Sequence, residues 1–361
     1  MRQRQSKPLA LGLVAILALA LASRWYGRPL PLQLALSGLA LALASALLGA
    51  AIEDRALRSG ARAGRLLDAF LGSAAELMVI GFALAAGLRE LVKASITGAI
   101  LSHLLLVLGL AALLGGLRHG RQYFDRERAS HAATLMVLSV IALGVPALYG
   151  QLGQARNSGP VETLSEAVAA VMIGIFALSV YYEFVYLEDL ERSMPAPGLV
   201  SAGGRAGRGA GLLQVASLGL ALLATAASAF LLTSAIGTGF AGQAGRQRLL
   251  GVLLVPLVCN VAAHVGTLRA AWRNRMDIAL DTATGASMRV ALWVAPLAVF
   301  VSLLVGQPMD LVFAPLELAA LAAAAVVAAL VAHDGRTTWL EGAMLVAVFA
   351  LMALGFFWWP A

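Results

Sequence analysis

The feature that most constrains this chain is a succession of apolar runs, each close to twenty residues long. They lie at 8–23, 29–52, 66–87, 91–116, 130–149, 162–187, 210–236, 249–269, 277–305, 313–332 and 338–359. A helix rises about 1.5 Å per residue, so about 20 residues cross the hydrocarbon of a bilayer. A backbone in hydrocarbon must satisfy its own hydrogen bonds. Runs of Ala, Leu and Val without strict alternation do so as helices rather than as barrel strands. Only 12% of the residues are charged and 60% are hydrophobic, whereas soluble domains carry about 25% charged residues. The expected fold class is all-α integral membrane with about eleven transmembrane helices.

The polar turns carry the orientation. With the N-terminus inside, 18 Lys and Arg fall on the inner side, 7 on the outer, and the last, Arg289, inside the ninth run. This bias places the N-terminus in the cytoplasm and the C-terminus outside the plasma (inner) membrane. The net charge of +7 is scattered over short loops and forms no contiguous patch, which argues against nucleic acid as a partner; membrane lipid is the expected surround. The first run has a second reading as a cleaved signal peptide, because Met1–Lys7 is basic and Ala20-Leu21-Ala22 resembles a cleavage site. Cys259 is the only cysteine, so neither an internal disulfide nor a Cys-based metal site can form. No phosphate loop, catalytic triad or His/Cys cluster appears, and the expectation is no enzyme and no cofactor.

A repeat runs through the chain. Gly72-Ser73-Ala74-Ala75-Glu76 in the third run corresponds to Cys259-Asn260-Val261-Ala262-Ala263 in the eighth, and Gly98-Ala99 in the fourth to Gly285-Ala286 in the ninth. Both pairs are offset by 187 residues. The copies are five spans apart, an odd step, so they run in opposite directions. The expected organisation is an extra N-terminal helix at 1–28, a first five-helix repeat at 29–187, a cytoplasmic linker at 188–209 and a second, inverted five-helix repeat at 210–361. Inverted repeats of this kind place substrate and coupling ions near the bilayer midplane, where helices break. The small residues Gly72, Ser73, Gly98 and Gly285 permit close helix approach there.

These residues resemble the calcium/proton exchangers of the calcium:cation antiporter superfamily. Glu76-Leu77-Met78, Phe82-Ala83-Leu84, Lys93-Ala94-Ser95 and Leu104 to Leu110 look like the family's first motif. Asn260 to His264, Asn274-Arg275-Met276-Asp277 and Ala291 to Pro296 look like its second, and Asp334-Gly335-Arg336 with Trp339 to Ala343 also matches. The resemblance implies a secondary transporter exchanging an inorganic cation, calcium, for protons. The cation would sit between two Gly-Asn-x-x-Glu motifs whose carboxylates balance a hard dication and later accept protons. Glu76 and Asn260 would be the metal ligands carried over, and His264 matches the family's His.

The chain departs from that pattern at the site itself. Ser73 with Glu76 in one repeat faces Asn260 with Ala263 in the other, so one carboxylate is missing. Where the family has Ser with Asn and then Ser with Gln, this chain has Ala99 with His103 and then Ala286 with Arg289. An arginine brings five donors and no acceptor, so it cannot ligate a cation. The expected ion or substrate site comprises Glu76, Ser73, His103, Asn260 and Arg289, with Arg289 paired to Glu76. Asp281 is a second possible partner for that arginine. His264 and Asp281 are expected to serve proton access or gating, and His103 proton coupling or helix packing. Glu317 and Glu341 stand at helix starts and read as structural caps. Two functional readings follow: cation/proton antiport of the calcium/proton exchanger type, or a divergent member that moves another solute or none because Ala263 and Arg289 replace cation-ligating residues.

Overall fold

The computed structural model describes residues 2–59, 61–152, 159–193 and 208–358. Apart from two strands of two residues each, every regular element among them is helical. The helices are α1 (Arg2–Trp25), α2 (Leu30–Ser59), α3 (Ala61–Leu71), α4 (Ala74–Ala85), α5 (Arg89–Leu101) and α6 (Leu108–His119). After strand β1 (Gln122–Tyr123) come α7 (Arg126–Leu152), α8 (Gly159–Ser193), α9 (Arg208–Gly239), α10 (Ala244–Cys259), α11 (Val261–Trp272) and α12 (Met276–Arg289). The chain continues through α13 (Ala295–Leu304), α14 (Pro315–His333), β2 (Arg336–Thr337) and α15 (Trp339–Trp358). Most of the linker expected at 188–209 lies outside the described residues; α8 and α9 border it.

Ten segments are long and apolar enough to cross a membrane, and α10 with α11, bent by 66° at Asn260, makes an eleventh. Contacts between loops count that bent pair as one crossing. The helix from Arg89 to His119 is 31 residues long, or about 46 Å at 1.5 Å per residue, so its ends mark opposite faces. At the Arg89 end, Glu90 pairs with Arg248 near the start of the bent helix at 2.6 Å, Arg89 donates to Gln307 at 3.2 Å, and Lys93 bonds Asp310 and the Val312 carbonyl. At the His119 end, β1 pairs antiparallel with β2 through Gln122 opposite Thr337, and Gln122 Nε2 donates to the Ala271 carbonyl in the last turn of the bent helix at 3.1 Å. The loops thus sort by parity of spans, as eleven crossings require. The chain is a multi-pass membrane protein.

The 187-residue offset also appears in the backbone. Ser73 (φ −106°, ψ 17°) and Asn260 (φ −109°, ψ 20°) share one conformation. Gly87 and Asn274 both have positive φ, at 73° and 58°. The wide π-helical turns at Ser102–Val107 and Val290–Val294 nearly superpose under the same shift. Such irregularities tend to sit at functional sites, and each opens the ladder near the middle of a span.

Local chemistry explains the breaks and the packing around them. Pro256 has no N–H, so the Val252 carbonyl lacks its helical donor, and bare Gly98 on α5 packs over that carbonyl; an added Cβ would stand 2.5 Å from Val252 Cα. Gly251 repeats the device, with a Cβ there meeting Ala94 Cβ at 2.7 Å and the Leu91 carbonyl at 2.8 Å. The Val258 carbonyl beside the Asn260 break accepts from Ser45 Oγ at 2.9 Å. At the helix starts, Glu317 Oε2 accepts from Ala314 N–H at 2.9 Å, and Glu341 Oε2 accepts from Thr338 N–H at 2.8 Å. Both acids act as the caps expected of them.

Candidate functional site

Each broken span sends the N-terminus of its second half toward mid-membrane. Ser73 precedes α4, and Glu76 lies in that helix's first turn, where the helix dipole favours a carboxylate. Asn260 holds the matching place before α11. The residue 187 positions after Glu76 is Ala263 in the first turn of α11, so one of the two helix starts carries no acid.

The two starts meet directly. Asn260 Nδ2 donates to Glu76 Oε1 at 2.6 Å and also to the Pro256 carbonyl at 3.2 Å. Glu76 is 5% exposed, and its second oxygen, Oε2, is buried with no hydrogen-bond partner. The carboxylate faces a narrow crevice lined by Ser95, Ala99, Val255, Val290 and Val294. One turn beyond Asn260, His264 stands edge to face against His103, with ring centroids 5.0 Å apart. Both imidazoles are buried, and Nε2 of each has no hydrogen-bond partner. His103 comes from the π-helical turn Ser102–Val107, which rotates its side chain off the regular helical register. Glu76, Asn260, His264 and His103 therefore form a continuous polar line through an apolar bundle, and polar groups at that depth are costly unless used.

Other expected site residues fall elsewhere. Ser73 is buried at the break, but its hydroxyl makes no capping bond. Asp281 is exposed on α12. The expected pair of Arg289 with Glu76 does not form. Arg289 Nη1 instead meets Asp68 Oδ2 at 3.1 Å, and its Nε lies 3.5 Å from where a Cβ on Gly72 would stand. The reason is solvation. A guanidinium and carboxylate buried together both lose their water, whereas Asp68 is 57% exposed and keeps its hydration; the Arg289 side chain is 17% exposed, and its Nε is buried with no hydrogen-bond partner. Sequence reasoning missed Asp68, whose signal was its place one turn before Gly72. It also missed the contact between the two histidines, which sit on elements far apart in sequence.

Among the described residues, no three His, Cys, Asp or Glu side chains are already gathered at metal-ligand geometry. The arrangement offers a lone carboxylate with one oxygen free, two free imidazole nitrogens and an amide, at the meeting of two broken helices. Such groups can bind a cation and exchange it for protons.

Comparison with known proteins gives a consistent picture. Residues 29–185 and 213–358 match the family described as sodium/calcium exchanger protein. The chain is 34% identical over 366 residues to a Ca(2+)/H(+) antiporter of Synechocystis sp., covering 97% of both chains. It is 34% identical over 313 residues to the Ca(2+)/H(+) antiporter ChaA of Bacillus subtilis, covering 86% of this chain and 87% of the relative. Among solved structures it is similar to native YfkE, with a TM-score of 0.81 at 28% identity over 97% of this chain and 99% of the other.

Proposed function

This chain belongs to the sodium/calcium exchanger protein family, on its calcium/proton exchanger branch, and from that premise we propose that it is a cation/proton antiporter working at the Glu76–Asn260 contact. The carrying observation is the buried Glu76 carboxylate, held by Asn260 of the other repeat through one oxygen while the second oxygen has no partner. A carboxylate so placed binds either a cation or a proton. Competition between the two at one group couples their fluxes. The relatives named above are calcium/proton antiporters, which makes calcium the reference ion. In this reading residues 29–187 and 210–361 are the two repeats, the helix before them is an addition, and the N-terminus lies in the cytoplasm with the C-terminus outside the plasma membrane.

Two substitutions set this chain apart from an ordinary calcium site. Ala263 removes a carboxylate, and Arg289 adds a cation beside Gly72. Calcium takes about 6–8 oxygen ligands, and this site has lost several oxygen donors. The favoured form of the proposal is therefore antiport of a dication that calcium only partly mimics.

The test is flux in vesicles. Purified protein reconstituted with an imposed pH gradient should take up a dication while dissipating the gradient, and Glu76→Gln should abolish both. Dication movement that ignores the pH gradient, or survives Glu76→Gln undiminished, would sink the proposal.

A further inference from the structure

Three buried atoms with no partner in the protein, Glu76 Oε2, His103 Nε2 and His264 Nε2, belong to the line of side chains at the meeting of the repeats. We infer that the ion selected there is a borderline, imidazole-seeking dication of the zinc class rather than calcium, held by His103, His264 and Glu76. The inference rests on the antiporter reading above and narrows its substrate.

Donor chemistry carries the first part. Imidazole nitrogen suits zinc and its neighbours, whereas carboxylate, carbonyl and water suit calcium and magnesium. Beside Glu76 the crevice is lined by Ala99 and by aliphatic side chains that offer no oxygen, with Ser95 the one hydroxyl, and His103 and His264 bring nitrogen. Of side-chain oxygen type the site offers one carboxylate, one amide and the Ser95 hydroxyl, which is engaged with the Val92 carbonyl, against two imidazoles with free nitrogens. A calcium ion would find too few oxygens; a zinc-class ion needs about four ligands in all.

Geometry carries the second part. Two imidazoles bound to one tetrahedral ion at about 2.0–2.1 Å place their ring centres about 5 Å apart. The rings of His103 and His264 are 5.0 Å apart. They come from different repeats, as a site that must open alternately to two faces requires. Asn260 and His264 share a face of α11 one turn apart, a spacing of about 5–6 Å. The Glu76 carboxylate, bound to Asn260 at 2.6 Å, thus lies within side-chain reach of the histidine pair. The three donors do not yet converge at ligand distance, so loading draws Glu76 Oε2 toward the rings while Asn260 guides the carboxylate.

The test uses the full-length protein in detergent with cobalt(II) alone as an optical probe. Cobalt should develop the ligand-field absorption of a low-coordinate nitrogen/oxygen site. Zinc should displace it at concentrations lower than calcium needs by at least about tenfold. His103→Asn should weaken cobalt and zinc binding about 10- to 100-fold, and the wild-type spectrum and competition stand as evidence if that variant does not fold. A spectrum of cobalt in oxygen ligands only, or displacement by calcium as readily as by zinc, would overturn the inference. Vesicle flux separates it from the reading beneath it. Glu76-dependent calcium exchange without zinc exchange refutes the zinc preference and leaves the antiporter standing, while no Glu76-dependent exchange of any dication removes both.

Discussion

Replacing Gly98 with alanine tests the packing that closes one end of the molecule. A Cβ at residue 98 would lie 2.5 Å from Val252 Cα, with the Val252 carbonyl oxygen nearer still, whereas ordinary contact begins at 3.4 Å. The obstruction is backbone, so α5 and α10 must separate by more than about 0.9 Å, the difference between those distances, because the carbonyl oxygen is nearer still. Overpacking of this kind costs about 1–3 kcal/mol. Charged against the closed arrangement, that shifts its balance with an opened one by about 5- to 150-fold. Cys259, two turns beyond Val252 and 5% exposed, is the only thiol in the chain and reports the opening. A membrane-impermeant maleimide added from the face of the Glu90–Arg248 pair should label Cys259 faster in Gly98→Ala than in the parent by a factor in that range. Unchanged labelling in a folded variant, with unchanged exchange, would refute the claim that Gly98 against Val252 holds this end shut.

Arg289→Gln should leave the fold intact, lowering stability by no more than about 1 kcal/mol because its partner Asp68 is 57% exposed, and it should tighten dication binding by removing a like charge. Thermal unfolding and cobalt titration measure the two effects; a loss of several kcal/mol would mean that the guanidinium is instead the essential counter-charge of Glu76. Thr338→Ala removes the hydroxyl that accepts from Glu341 N–H at 3.4 Å in the cap of α15. It should cost about 0.5–2 kcal/mol in a melting experiment without changing exchange, whereas impaired exchange at full stability would contradict a purely structural cap.

The spans were legible because lipid punishes every unpaired backbone group, so a twenty-residue apolar run has few alternatives to a helix. The positions of the breaks were not: 66–87 and 249–269 read as single runs, and a lone Ser or Asn in an apolar run does not announce a bend, yet the backbone adopts the same conformation at Ser73 and Asn260. Nor was the partner of Arg289. A long flexible side chain reaches acids on several neighbouring helices, and the choice between Glu76 and Asp68 turns on water access, which the order of residues does not encode. The apposition of His103 and His264 was hidden for a different reason. It depends on the π-helical turn at Ser102–Val107, and a single extra residue in a turn leaves no periodic trace in an all-apolar helix.

Five is an odd number of crossings, so a second copy of a five-helix unit is upside down by arithmetic alone. When such halves exchange conformations, an opening toward one compartment becomes an opening toward the other. With identical side chains in both copies, the two mouths would greet the ion alike. In the proposed two-repeat reading the acid stands on α4, while Asn260 and Ala263, the positions that image Ser73 and Glu76, stand at the start of α11. The backbone keeps its twofold likeness while the chemistry has lost it. Entry and exit are thereby different events at the level of the ligands, and the two halves of the cycle run over unequal ground.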